Sequence, residues 1–290
     1  MDSLLLHSTT QKQLEQFTRR PPQAIALIGP AGSGKGVTAR ELAASILGTS
    51  SKKLSAYPYF KVYTPENSNI SIEKAREITK FTKLRTSGPN TIRRVIVVED
   101  AQTMTLEAQN ALLKTLEEPP TDTILILTLT NTSAILPTIL SRLQIVPIHT
   151  VSQEEAVGYF TNQGQEKGLV TQYYLMSGGR AGLMQALLSN TEDHPFTLSI
   201  QQAKEVLQKD HFARLLMVDD IVKQKQTEGL ISAINVIARS ALYTEASRTN
   251  AKTATLKRWG IVLEKSEEAK QLLTQNAQAK LVLTSLFLEI

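Results

Sequence analysis

An α/β fold, a parallel sheet covered by helices and followed by an all-helical region, is predicted by three features of this chain. Short apolar runs alternate with stretches of helical periodicity up to about residue 150. The first of these runs, Ala24–Ile28, opens directly into the glycine-rich loop Gly29-Pro30-Ala31-Gly32-Ser33-Gly34-Lys35. Beyond residue 150 the strand pattern stops and helical periodicity continues to Ile290. Strands separated by helices pair in parallel, and burial on both faces makes them read as unbroken apolar runs.

The elements follow in order. Ala24–Ile28 is a buried strand, and Lys35–Leu47 a helix with Val37, Leu42, Ile46 and Leu47 at helical spacing and Gly48 as its C-cap. Ile72–Leu84 is a helix with Ile72, Ala75, Ile78 and Phe81 on one face. Arg94–Val98 is a second strand, and Thr105–Leu116 a helix stopped by Pro119-Pro120, which cannot continue it. Ile124–Leu129 is a third strand, Ser133–Leu140 a short helix with Pro137 near its middle, and Ile145–Ile148 a fourth strand. Gln153–Gln163, Thr171–Met176 and Leu183–Leu188 are helical, with Ser177-Gly178-Gly179 as a break. Ser189–Pro195 is polar and turn-rich, a domain boundary, and 196–290 is helical throughout. On this reading residues 1–150, 151–190 and 196–290 are three domains.

Composition limits the function classes. With 290 residues, 41% hydrophobic and 20% charged, the chain has the material for a globular protein of two or three domains. Its longest apolar run, Ala24–Ile28, is far short of the ~20 residues of a membrane span, and Met1–Leu6 carries no basic leader region, so a cytoplasmic location is expected. Cysteine is absent, which excludes disulfides and thiolate metal sites, and the histidines (His7, His149, His194, His211) are scattered without metal spacing. The net charge of +5 is uneven: between Glu73 and Arg94 seven basic residues (Lys74, Arg76, Lys80, Lys83, Arg85, Arg93, Arg94) stand against Glu73 and Glu77. That segment suits either a polyanion or a solvated face.

The glycine loop follows a strand and opens a helix, the context in which such a loop holds phosphates. Gly29, Gly32, Ser33, Gly34, Lys35 and Gly36 are therefore candidate nucleotide-binding residues, the glycines letting N–H groups curl round phosphates and the helix N-terminus adding positive charge. Such loops end in Ser or Thr, whose hydroxyl holds magnesium, but here the residue is Gly36. Thr38, about 200° further round the helix, cannot take over simply. Magnesium is expected to bind weakly if at all.

Three further signatures come in order: Glu99-Asp100 at a strand end, Asn110–Pro120 (NALLKTLEEPP), and Ser141-Arg142-Leu143. The ordered set resembles the clamp-loader ATPases of the AAA+ class, and most of all the delta-prime type of subunit in bacterial DNA polymerase III clamp loaders. The resemblance covers about the first 190 residues well and the rest more loosely. It implies an AAA+ P-loop parallel sheet, a helical lid and an all-α collar, in which Asn276–Ile290 is the closing helix. Val282, Leu283, Leu286 and Phe287 would form its packing stripe, facing neighbouring helices or subunits.

The resemblance also assigns roles. Hydrolysing relatives end the second strand in Asp-Glu; Glu99 and Asp100 reverse the pair, displacing each carboxylate by ~1 Å, an error that can cost ~100-fold. With Gly36 this implies a degenerate site: ATP or ADP can bind, and the chain alone is not an active ATPase. Thr130 falls at the sensor-1 position, or is an ordinary polar strand end. Arg142 corresponds to an arginine that reaches a neighbouring subunit's ATP as a trans finger, a role its planar fork suits. Arg180, one place early for a sensor-2 arginine, is expected to face solvent. Arg76 and Lys114 correspond to residues that touch DNA phosphates, contacts that position a duplex without reading its sequence.

The implied partners are tau/gamma and delta subunits in a heteropentamer, a sliding clamp and primer-template DNA, with no membrane. The stretch 48–64, where many relatives carry a four-cysteine zinc module, cannot hold zinc that way. Two rivals stand beside this reading. One is a hydrolysing tau/gamma-like motor subunit, opposed by Gly36 and Glu99-Asp100. The other is an unrelated P-loop kinase or transport ATPase, which leaves NALLKTLEEPP and Ser141-Arg142 unexplained.

Overall fold

The computed structural model describes residues 4–66, 69–189, 195–224, 226–248, 250–275 and 277–290. His194, Asn276 and most of the boundary segment 189–195 lie outside the described residues. The chain divides into two compact units, Met1–Ser152 and Gln153–Ile290.

In the first unit the elements run α1 (Ser8–Arg19), β1 (Ala24–Ile28), α2 (Lys35–Leu47), α3 (Ser51–Leu54), β2 (Phe60–Tyr63), α4 (Ile72–Thr82), β3 (Arg94–Val98), α5 (Leu106–Glu117), β4 (Thr123–Leu129), α6 (Pro137–Leu140) and β5 (Gln144–Pro147). The strands form one five-stranded parallel sheet in the order β2-β3-β4-β1-β5. Side chains alternate between its two faces with the period of a strand. Ala24, Ala26, Ile96, Val98, Leu125 and Leu127 pack with α4 and α5 through Ala75, Ile78, Ala108 and Leu112. Ile25, Leu27, Val95, Val97, Ile124 and Ile126 pack with α1 and α2 through Leu14, Ala39, Leu42 and Leu47. Each large side chain so buried contributes roughly 1.5–3 kcal/mol, which is why the three central strands, β3, β4 and β1, carry no polar alternation.

Three elements, α1, α3 and β2, go beyond those expected from the sequence. β2 is an edge strand whose exposed Lys61 hides its character, and α1 buries little besides Leu14 and Thr10 in an otherwise polar sequence. The helix expected at 133–140 is shorter. It begins at Pro137, which lacks the N–H that a preceding turn would bond and sits at the first helical position instead. The histidines are less scattered than the sequence suggests: the fold brings the rings of His7 and His149 to 5.4 Å between centroids.

The second unit is helical: α7 (Gln153–Thr161), α8 (Lys167–Ser177), α9 (Ala181–Ser189), α10 (Pro195–Gln208), α11 (His211–Lys223), α12 (Thr227–Ala246), α13 (Thr253–Thr274) and α14 (Ala279–Glu289). Gly178, at a left-handed φ of 61°, ends α8 at the expected break. One core joins Met176, Leu183 and Leu187 with Ala203, Ile234, Leu283 and Phe287. The stripe on α14 therefore faces helices of the same unit. Arg180 does not stand free in solvent: its Nε donates to Ser177 O at 2.6 Å and its guanidinium lies 5.4 Å from the Phe196 ring centre. Among the described residues no helix is long and apolar enough to cross a membrane.

Candidate functional site

Three strand ends bring the candidate residues to one edge of the sheet. β1, β4 and β3 are neighbours, and their carboxyl ends carry the glycine loop, Thr130 and Glu99-Asp100. Ligands of open parallel sheets bind at that edge.

The loop is shaped for phosphate. Gly32 and Gly34 stand at φ 79° and 88°, a region only glycine adopts freely, and α2 starts at Lys35 directly behind them. Gly29 closes β1, its N–H donating to Leu129 O at 3.1 Å. Ser33 is 3% exposed and its Oγ has no hydrogen-bond partner, an orphaned donor inside the loop. Lys35 is buried too: its ammonium donates to Gly29 O at 2.8 Å and Pro30 O at 3.0 Å, folded back on the loop itself. Desolvation holds that ammonium below its ordinary pKa, opposed by the charge of Asp100.

The backbone of the loop suits phosphate, but the hydroxyl that would hold magnesium is missing at Gly36. A Cβ placed on Gly36 would lie 2.6 Å from Glu99 Oε1 and 3.3 Å from Arg40 Nη1, so the space of the missing hydroxyl side chain is filled from across the sheet edge. Glu99 is already ion-paired, Oε1 to Arg40 Nη2 at 2.9 Å. Thr38 offers no substitute, because its hydroxyl donates to Gly34 O at 3.0 Å within the helix.

The other strand ends are tied together by a residue the sequence does not single out. Asp100 stands at φ 48°, left-handed backbone that asparagine and aspartate tolerate best, with its N–H donating to Thr128 Oγ1 at 3.0 Å. Gln102 Nε2 donates to Asp100 Oδ1 at 3.3 Å and to Thr130 Oγ1 at 3.4 Å, while its Oε1 accepts from Thr130 N at 3.1 Å. Thr130 is thus held by Gln102.

Arg142 lies just beyond α6, exposed. Its Nη1 donates to Thr138 O at 2.7 Å and its Nη2 to Glu117 Oε1 at 2.8 Å, Glu117 belonging to NALLKTLEEPP. Leu143, next to it, is buried in the core. Gln109, one residue before that motif, anchors the same region: its side chain donates to Met104 O and Ala134 O and accepts from Leu136 N, at 3.2, 2.8 and 2.8 Å. No sequence signal marks this role; it shows only in the fold, where Gln109 is 3% exposed.

Arg76 on α4 and Lys114 on α5 are exposed. Their helices pack together, and the hydroxyls of Thr79 and Thr115 meet between them at 3.2 Å. The basic segment around them is weaker than its count. Arg94 is 0% exposed and donates to Thr82 O, Leu84 O and Thr123 Oγ1, so it serves the core. Arg93 lies 3.8 Å from Asp122 and Lys74 is 2.8 Å from Glu66. The outward-facing cations of the seven are Arg76, Lys80, Lys83 and Arg85.

Residues 7–152 match the family described as DNA polymerase III, delta subunit. A protein from Pseudomonas aeruginosa named DNA polymerase III subunit delta' is 35% identical over 135 residues, which cover 41% of this chain and 40% of that one. The Haemophilus influenzae protein of the same name is 30% identical over 102 residues, 35% of this chain and 31% of that one. The matched region thus spans two fifths or less of these relatives. Among solved structures, a DNA polymerase III gamma subunit-related protein from Thermotoga maritima aligns with 95% of this chain and 97% of its own, with a TM-score of 0.54 and 20% identity. That likeness supports the AAA+ type of fold.

Proposed function

The chain belongs to the family of DNA polymerase III delta-prime clamp-loader subunits, and from that premise we infer that it serves as a non-hydrolysing member of the assembly that sets a sliding clamp on primed DNA. Its partners on this reading are tau/gamma and delta subunits in a heteropentamer, the clamp and primer-template DNA, in the cytoplasm. The observation that carries it is the family match over 7–152, the stretch that holds the phosphate loop, NALLKTLEEPP and Arg142.

Four parts of the geometry support the division of labour. Gly36, with Glu99 in the place of its absent side chain, weighs against ATP turnover and so against the motor-subunit reading. ATP or ADP is held, on this proposal, by Gly29, Gly32, Ser33, Gly34, Lys35 and Gly36 without being consumed. The exposed fork of Arg142 suits a trans finger for a neighbour's nucleotide, and Arg76 with Lys114 suits phosphate contacts on DNA. In the helical unit, Phe212 and Leu216 on α11 and Leu281 and Leu288 on α14 are 72%, 66%, 65% and 55% exposed. Large apolar side chains exposed on two packed helices suit an oligomer contact.

The test is reconstitution. Mixed with delta and tau/gamma subunits from the same source, the chain is expected to complete a five-subunit complex by native mass spectrometry. That complex is expected to load clamps on primed DNA, and failure to join it would refute the proposal.

A further inference from the structure

Magnesium is the usual partner of nucleotide phosphates, but this loop lacks the hydroxyl that would ligate it, and the carboxylate beside that position is already ion-paired. The loop nevertheless keeps the features that hold phosphate: two left-handed glycines, a helix N-terminus and the buried, unpartnered Ser33 hydroxyl. Something else must balance the charge that a second and third phosphate bring. We propose that the site takes a nucleoside di- or triphosphate free of metal, with the guanidinium of Arg40 in the cation's place. The inference rests on the nucleotide reading of the loop.

The geometry is specific to this chain. Arg40 lies four residues after Gly36, one turn along the same face of α2, and helical side chains lean back toward the N-terminus. That lean carries its guanidinium over Gly36 to Glu99, with Nη2 2.9 Å from Oε1 and Nη1 3.3 Å from the position a Cβ would occupy at residue 36. A Ser or Thr at that position would displace the carboxylate, so the glycine and the ion pair require each other. Glu99 in turn holds a side chain that is 41% exposed and otherwise free to sample many rotamers.

Charge decides between the two cations. A divalent ion seeks unpaired oxygen ligands, and Glu99 is the carboxylate nearest the vacant hydroxyl position. Its charge is already met by a permanent cation, which also repels a second one at short range. One terminal nitrogen of Arg40 is paired with Glu99 at 2.9 Å, by charge and outside hydrogen-bond geometry, and a guanidinium carries five N–H donors, so it can serve a phosphate oxygen while staying paired. Lys35 supplies a second fixed positive charge inside the loop. Two protein cations then do what one protein cation and one metal do elsewhere.

The experiment is calorimetric titration of the full chain with ADP, in excess EDTA and again in millimolar magnesium. The wild type is expected to bind equally in both, within about twofold. Arg40→Ala, whose side chain is partly exposed and so removable without loss of the fold, is expected to bind about tenfold or more weakly in EDTA, as loss of a charge-assisted phosphate contact implies. With Glu99 then unpaired, magnesium should recover part of that loss. Magnesium tightening the wild type about tenfold, or Arg40→Ala matching it in EDTA, would overturn the inference and leave the nucleotide reading intact. Absence of ADP binding in either buffer would remove the nucleotide reading itself, and this inference with it.

Discussion

Arg142 and Glu117, twenty-five residues apart in the chain, meet through a single hydrogen-bonded ion pair of 2.8 Å. The arginine is the side chain proposed to act on a neighbouring subunit, and the glutamate lies inside NALLKTLEEPP, so the pair links two signatures that are separate in sequence. Both side chains are partly exposed, 35% and 48%, and such pairs are worth about 0.2–1 kcal/mol. The pair orients the guanidinium at little energetic cost and can open readily.

Arg142→Ala is therefore expected to change folding stability by no more than about 1 kcal/mol and to leave assembly intact. The reconstituted complex should lose a substantial part of its DNA-stimulated ATPase, confined to the site this arginine completes. Arg142→Lys should not rescue it, because a point charge lacks the bidentate fork. Equal ATPase rates for arginine, alanine and lysine would show that the residue has no trans role.

The isolated chain is expected to release phosphate from ATP more slowly than about 1 s⁻¹, the slow end for competent enzymes. Lys35→Ala should then affect nucleotide retention at most. Steady-state phosphate release at or above that rate would mean that Glu99 and Asp100 suffice despite Gly36.

Arg76 and Lys114 are expected to bind DNA through phosphates alone. Neutralising both should lower the salt slope of DNA binding by the assembled complex by roughly two, at ~0.9 per duplex phosphate, and weaken all sequences alike. An unchanged slope, or a new preference among sequences, would place the two residues away from DNA.

Asp122 is the acid that balances buried Arg94. Burial alone would raise its pKa, but hydrogen bonds from Thr86 and Thr123 and the charges of Arg94 and Arg93 outweigh it and hold the carboxyl below its usual range. A depressed carboxyl pKa adds stability above the unfolded value of about 3.9, and that stability is lost as pH falls further. Asp122→Asn is expected to cost about 1–3 kcal/mol at neutral pH, because Arg94 is 0% exposed and keeps its charge. Denaturant unfolding at pH 7 and at about pH 3 should show the difference from wild type narrowing in acid; a constant difference would mean that the ion pairs contribute nothing.

The sheet was legible because its central strands are buried on both faces and so carry apolar runs such as RVIVV and ILILTL. β2 escaped because an edge strand exposes Lys61 and spreads its apolar residues thinly. Among candidate site residues, the glycine loop and Arg142 were visible as local motifs, whereas the reason for Gly36 was not. Glu99 lies sixty-three positions away in sequence and reaches Gly36 only because β1 and β3 flank β4 in the sheet. Gln102 and Arg40 act through such long-range contacts and carry no motif of their own. The basic segment misled in the opposite direction, since counting charges cannot tell that Arg94 starts a buried strand.

Gly36 and Glu99 offer the sharpest stability test, because the expected effect changes sign with the background. In the wild type, Gly36→Ser would set a Cβ 2.6 Å from Glu99 Oε1, and relief requires moving a carboxylate that is anchored on Arg40. Overpacking of that kind costs about 1–3 kcal/mol. With Glu99→Ala the obstruction is gone, and serine has better helix propensity than glycine by about 0.5 kcal/mol, so the same substitution should be neutral or slightly stabilising. Urea unfolding of the wild type, both single variants and the double variant gives the coupling directly, expected within about 0.5–3 kcal/mol for residues in contact. If Gly36→Ser costs the same whether residue 99 is glutamate or alanine, Glu99 does not fill the space beside the loop, and the absence of a hydroxyl at position 36 has another cause.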